Sequence, residues 1–239
     1  MPQPFEAWTV LPHGRVRLLA ENLVTVTGEL QMPLGEFPRR MTVARMDDGA
    51  LVVFSAIALN EAEMRALDAW GVVSYLVVPG DLHRMDVKAW KQRYPDAKVI
   101  APVGAREKVE QVVAVDDTRV EFADPKVRFV VVPGTEQHEA ALEVDTPTGT
   151  TLVVNDLIWN LDDRPGFGGW LFHLAGFTGS LPRIPTLVEL AAIKDKEPLR
   201  AQLEAWASNP RLERILVAHG DIVDRDATGV LRSLAGSLK

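Results

Sequence analysis

No cysteine occurs in the 239 residues. Disulfides, thiolate metal sites and cysteine nucleophiles are therefore excluded. The N-terminal MPQPFEAW lacks the basic start and apolar core of a secretory signal. No apolar run approaches the ~20 residues that a bilayer-spanning helix needs. A soluble, cytoplasmic chain without a membrane partner is the expectation. Basic charge is short as well: 26 Lys and Arg against 33 Asp and Glu give a net charge of −7. Nucleic-acid binders normally carry a basic face. A local pair such as Arg39-Arg40 reads as a solvated strand end, so no nucleic-acid partner is expected. Repeats, low-complexity tracts and long linkers are also missing.

What is present is the balance of an ordinary globular chain, 47% hydrophobic and 25% charged. At this length a core forms without staples, and one domain over residues 1–239 is expected. Short β-branched runs bounded by turn residues predict strands at 23–27, 41–45, 51–54, 74–78 and 97–101. Further strands are predicted at 119–122, 127–132, 140–144, 151–155 and 214–218. Asp48-Gly49 and Thr146-Pro147-Thr148-Gly149 supply hairpin turns. Helices are predicted over 61–70, with Asn60 as cap and Gly71 as stop, and over 87–93 and 105–113. A long helical segment at 186–208, interrupted near Pro198, and a short C-terminal helix complete the reading. Hairpins demand antiparallel pairs and the interspersed helices demand crossovers. Two mixed sheets with helices on their outer faces satisfy both: an α/β (α+β) fold.

Five histidines are available: His13, His83, His138, His173 and His219. Three share a context. His83 lies past the apolar run 75–78, His138 past 129–132, and His219 past 215–218. Asp156 follows the run 152–155 in the same way. Strand ends are fixed by their sheet, and the loops leaving them can present side chains to one cleft. Imidazole and carboxylate bind zinc, iron or manganese where thiolate is absent. The competing reading is that polar residues gather wherever strands end, because turns favour them. The stretch 166–177, GFGGWLFHLAGF, joins glycines to aromatics; it reads as a short core helix on a sheet, with His173 structural. Such clusters also line ligand pockets or subunit contacts.

The order of these residues resembles the metallo-β-lactamase superfamily, over about residues 21 to 221. The resemblance implies a four-layer αββα sandwich of two mixed sheets. It also implies one or two metal ions at the sheet edges and hydrolysis of esters, amides, thioesters or phosphodiesters. The family's first motif, H-x-H-x-D-H, matches Asp81-Leu82-His83-Arg84-Met85-Asp86, which keeps only His83. Its P-G-H turn matches Pro133-Gly134-Thr135, with His138 three residues on. Its bridging aspartate matches Asp156 and its last histidine matches His219 in His219-Gly220-Asp221. Tyr94-Pro95-Asp96-Ala97-Lys98-Val99 resembles a branch with a single first-motif histidine. In that family the region of 161–185 is commonly a substrate-shaping insertion, which makes a lid the alternative to the core helix.

The resemblance implies metal ligands His83, Asp156 and His219, joined by Asp81, Asp86 and His138, and Asp86 and Asp156 as candidate catalytic carboxylates. Such an oxygen-rich set leaves zinc, iron and manganese open. Met85 stands where the family has its water-orienting Asp, and a thioether takes no proton from water. The expected function is metal-dependent hydrolysis of a small-molecule substrate. One alternative is a degenerate scaffold without hydrolase activity that binds ligands or self-associates as a homo-oligomer. An iron-dependent redox protein is another.

Overall fold

A computed structural model describes residues 3–32 and 35–238. The first sheet is assembled in chain order from β1 (Arg17–Ala20), β2 (Leu23–Met32), β3 (Gly35–Arg45), β4 (Ala50–Phe54), β5 (Val72–Val77) and β6 (Lys98–Ile100). Its β1–β4 pairings are antiparallel and its β4–β5–β6 pairings parallel. The parallel steps need crossovers, which α1 (Glu61–Trp70) and α2 (Val87–Arg93) supply. After α3 (Arg106–Glu110) the chain builds a second sheet from β7 (Val127–Val131), β8 (Ala140–Asp145) and β9 (Thr150–Asn160). Three helices follow: α4 (Gly166–Leu174), α5 (Thr186–Ala192) and α6 (Lys196–Ala207). Then β10 (Leu212–Gly220) enters parallel to β9, and α7 (Ala227–Ser237) closes the chain.

Strand alternation explains the layering. Side chains point to opposite faces at successive positions. On β4, Leu51 and Val53 join the cluster under α1 and α2, whereas Val52 and Phe54 turn inward between the sheets. On β9 and β10, Leu152, Val154, Ile215 and Val217 pack under α6 and α7, while Val153 and Leu216 meet the inward set of the first sheet. Both faces of both sheets are thus covered, and the order of layers is αββα. No helix among the described residues is long and apolar enough to cross a membrane.

Local signals account for several element ends. Asn60 Oδ1 accepts from the backbone N–H groups of Ala62 and Glu63 at 3.0 and 3.1 Å, which satisfies two orphan donors of α1. Asn60→Ala is expected to cost about 1 kcal/mol. In urea this reads as a lowered midpoint at unchanged slope.

Four expectations are corrected. No strand forms at 119–122; a bridge from Ile100 to Asp117 ends the pairing there, and Phe122 is buried between the sheets, 4.9 Å from the Tyr75 ring. Its apolar character reflects burial without a partner strand. The segment 186–208 is interrupted as expected, but at 193–195 rather than at the proline, with Asp195 capping α6 through the Glu197 N–H. Pro198 then sits in the first turn of α6, where a missing N–H costs nothing. Arg39 and Arg40 are buried, at 8% and 7% exposure, rather than solvated. Finally, α4 is not a core helix: Phe167, Trp170 and Leu174 are 74, 56 and 67% exposed.

Candidate metal centre

The site forms where edges of the two sheets meet. Arg40 of β3 donates through Nε to the Val217 carbonyl at 2.9 Å and through Nη2 to the Gly220 carbonyl at 2.6 Å. It thereby clamps the end of β10 against the first sheet. Burial pushes this guanidinium down to about 10. Two residues earlier, the Pro38 carbonyl sits 2.7 Å from His219 Nδ1. A turn at Gly220 lets the chain leave: its φ is +110°, and a Cβ there would lie 1.9 Å from the Asn160 carbonyl oxygen. Glycine alone tolerates both.

Asp156 reaches the same point through an irregularity in β9. Val217 pairs with Val154, yet His219 pairs with Trp159, so the residues between them on β9 have one counterpart, Ala218. Such a bulge re-aims side chains. Here the Trp159 indole N–H donates to the Asp156 carbonyl at 2.9 Å and holds the bulged turn. His83 arrives from the other sheet, on the loop between β5 and α2. That loop passes tightly at Gly80, where a Cβ would lie 2.8 Å from Glu139 Oε1 and 2.9 Å from Asn155 Nδ2.

The outcome is a group of three. His83 Nε2 lies 3.2 Å and His219 Nε2 lies 2.9 Å from Asp156 Oδ1. One ligand atom from each falls within 4.8 Å of the others, an arrangement that can hold a metal ion. Ligand atoms bound to one ion at about 2.0–2.2 Å must sit roughly this close together. The outer contacts fit too. A carbonyl only accepts, so His219 Nδ1 carries its proton and donates to Pro38. Its Nε2 is left facing Asp156 Oδ1. His83 Nδ1 is likewise held, 2.7 Å from Ser55 Oγ. Ligating imidazoles are commonly oriented in this manner. Ser55 adopts φ +57°, a left-handed conformation rare outside glycine and frequent at functional sites. Burial alone would raise the Asp156 carboxyl; the His83 and His219 rings reverse that and hold it well below the usual carboxylate range. Behind it, burial and then the Asp156 charge push the Glu139 carboxyl well above its usual range, while Asn155 donates to it at 3.1 Å.

The remaining candidates lie elsewhere. Asp81 Oδ1 and His138 Nδ1 pair at 3.0 Å, both partly exposed. They line the same cavity as the three-residue group but are not part of it. Left-handed Glu136 and Gln137 carry His138 round to Asp81, and the buried Thr135 hydroxyl donates to the Val132 carbonyl at 2.8 Å. Asp86 is 2% exposed, ion-paired to Arg39, and accepts the Ala58 N–H at 3.0 Å. His13 accepts the Asn60 N–H at 3.1 Å, and exposed His173 sits 2.8 Å from Asp163.

Sequence reasoning passed over Ser55, Pro38, Glu139 and Asn155, none of which carries a local signal. It also passed over Phe37 and Trp159, whose rings pack against His219 at 4.8 and 4.3 Å. Trp159, three residues after Asp156, was findable by spacing. Phe37, Ser55, Glu139 and Trp159 line a cavity of about 860 Å³ that opens beside the group.

No protein-family model matches the chain, and no curated protein sequence matches it. Solved structures do. The DIM-1 metallo-β-lactamase exposed to ceftazidime superposes with a TM-score of 0.64 at 13% identity, covering 97% of this chain and 100% of that one. The FIM-1 metallo-β-lactamase from Pseudomonas aeruginosa, in its mono-zinc form, gives 0.63 at 13% identity over 95% and 96%. A metallo-β-lactamase from Hirschia baltica gives 0.62 at 10% identity over 94% and 98%. The chain has the metallo-β-lactamase fold, and at the edges of its two sheets it carries a His/Asp/His group able to hold a metal.

Proposed function

We propose that this chain is a metal-dependent hydrolase of a small-molecule substrate, working with one divalent ion held by His83, Asp156 and His219. The observation that carries the reading is the convergence of these three side chains with both imidazoles anchored through Nδ1. With Asp81 and Asp86 outside the group, the donors are two nitrogens and one carboxylate. That set suits zinc and also ferrous iron. When bound, such an ion polarises a carbonyl or phosphoryl oxygen and acidifies water.

The chain's own residues must manage the proton. Met85 lines the cavity and cannot accept one. His138 can. Its Nδ1 proton is donated to Asp81, which leaves Nε2 as the basic nitrogen in a residue lining the same cavity. The altered family positions therefore still leave a base, supplied from 138 with 81 as its orienting carboxylate.

The test is metal content by plasma mass spectrometry on protein purified without chelators or an affinity tag, followed by chelation, reloading and an ester and phosphodiester panel. Near-stoichiometric metal, with hydrolysis lost on chelation and restored on reloading, supports the reading. No metal uptake even after incubation with zinc, iron or manganese would leave the degenerate scaffold, which Met85 favours. His138→Gln is expected to lower kcat about a hundredfold at unchanged metal content.

A further inference from the structure

Resting on that reading, we infer that the substrate is an acyl or aryl ester or amide whose body is apolar and lies along an aromatic wall beginning at His219. The wall is continuous. Phe37 stands edge-on to His219 at 4.8 Å and to Trp159 at 5.2 Å. Trp159 lies 4.5 Å from Phe177, and Phe172 lies 5.8 Å from both Phe37 and Phe177. Leu187 and Val188 of α5 add aliphatic surface to the same cavity. These residues come from three distant parts of the chain, β3, β9 and 172–188, and the fold brings them to the side of the ligand group. The cavity's volume, about 860 Å³, is that of a small-molecule site with room well beyond the scissile bond.

Charge separates this class from a phosphate-rich one. Anion recognition needs converging cations. Of the lining cations, Arg39 is ion-paired to Asp86, and Arg84 donates to the Lys108 carbonyl and to Gln111. Among the described lining residues Lys194 is the cation left over, while Glu136 lines the same space and Asp81 and Asp156 face histidines. A polyanionic substrate would find no cluster of free side-chain cations among the described lining residues. A neutral acyl chain meets rings.

Two measurements test the inference. The first is kcat/KM of the zinc-loaded protein along p-nitrophenyl acetate, butyrate and octanoate, with bis-p-nitrophenyl phosphate as the anionic comparison. Each buried methylene is worth roughly fourfold, so octanoate is expected to exceed acetate by at least ~30-fold. Phe172→Ala should lower the octanoate-to-acetate ratio about tenfold, the change expected of lost apolar contact. The second is binding of the neutral fluorophore N-phenyl-1-naphthylamine to metal-free protein, displaced by octanol. Phe172→Ala should weaken it; Trp170→Ala, on the exposed side of the same helix, should not.

A flat chain-length profile with measurable ester hydrolysis overturns the inference and leaves the hydrolase reading standing. Preference for the phosphodiester overturns it as well. Probe binding lost in Trp170→Ala but kept in Phe172→Ala overturns it by placing the apolar site outside the cavity. Displaceable binding at Phe172 with no turnover under any metal sinks the hydrolase reading and upholds an apolar ligand.

Discussion

Asp156→Ala is expected to give a folded protein that no longer retains a divalent ion, with all metal-dependent hydrolysis gone. The carboxylate is the hub of the site: both Nε2 atoms approach its Oδ1, at 3.2 and 2.9 Å, whereas the two imidazoles meet each other only as rings with centroids 5.3 Å apart. Removing either histidine leaves a two-ligand remnant around Asp156; removing Asp156 leaves two nitrogens with nothing between them. Disturbing an outer contact of a metal site commonly lowers affinity 10- to 100-fold. Loss of the central ligand should therefore cost at least ~100-fold, and Ser55→Ala nearer tenfold. Plasma mass spectrometry gives the stoichiometry and circular dichroism the fold. The fold should survive, because β9 keeps its pairing with β8 from Ala141↔Val154 to Asp145↔Thr150. If Asp156→Ala kept a full equivalent of metal, the ion would be bound elsewhere and the proposed site would fail.

The layered architecture was readable because it rests on periodicity. Leu51 and Val53 alternate with Val52 and Phe54, and the fold simply sends each pair to a different face. The positions of His83, Asp156 and His219 were readable for a related reason: each comes at or after an apolar strand run. What the alternation could not convey was irregularity. Asp156 was expected just beyond its strand and instead lies within β9, which runs on to Asn160 through a bulge. A bulge is a register jump between two strands, and neither strand's sequence contains it.

Charge was misread for a deeper reason. Arginine is mostly exposed, so Arg39-Arg40 reads as surface. Their burial depends on partners 47 and 180 residues away, Asp86 and the Gly220 carbonyl. The same blindness applies to Asp86 and to Ser55. A serine at the end of β4 looks like any turn residue until the loop carrying His83 folds back to within 2.7 Å of it. Contacts made between distant segments are set by the packed structure, and no local pattern announces them.

Asp86 provides the sharpest separation of a structural carboxylate from a ligand. Its position matches the last histidine of the family's first motif, which makes it a natural candidate for metal binding. Its surroundings argue for another role. The side chain is 1% exposed and faces Arg39, itself 9% exposed. Two further guanidinium nitrogens, Nε and Nη2, have no hydrogen-bond partner among the described residues, so Asp86 is the counter-charge on which that buried cation depends. Removing one partner of a buried ion pair costs about 3–5 kcal/mol, because the other charge stays behind unpaired. Asp86→Ala also strands the Ala58 N–H. The expected result is destabilisation of about 3–5 kcal/mol in urea unfolding, with metal content per folded molecule unchanged. Arg39→Met combined with Asp86→Ala should recover much of the loss, since the cation goes and the methionine keeps most of the apolar stem. Full stability in Asp86→Ala together with lost metal would reverse the assignment and make Asp86 a ligand. Instability repaired by the second substitution would fix its role as the brace that holds the start of α2 against β3.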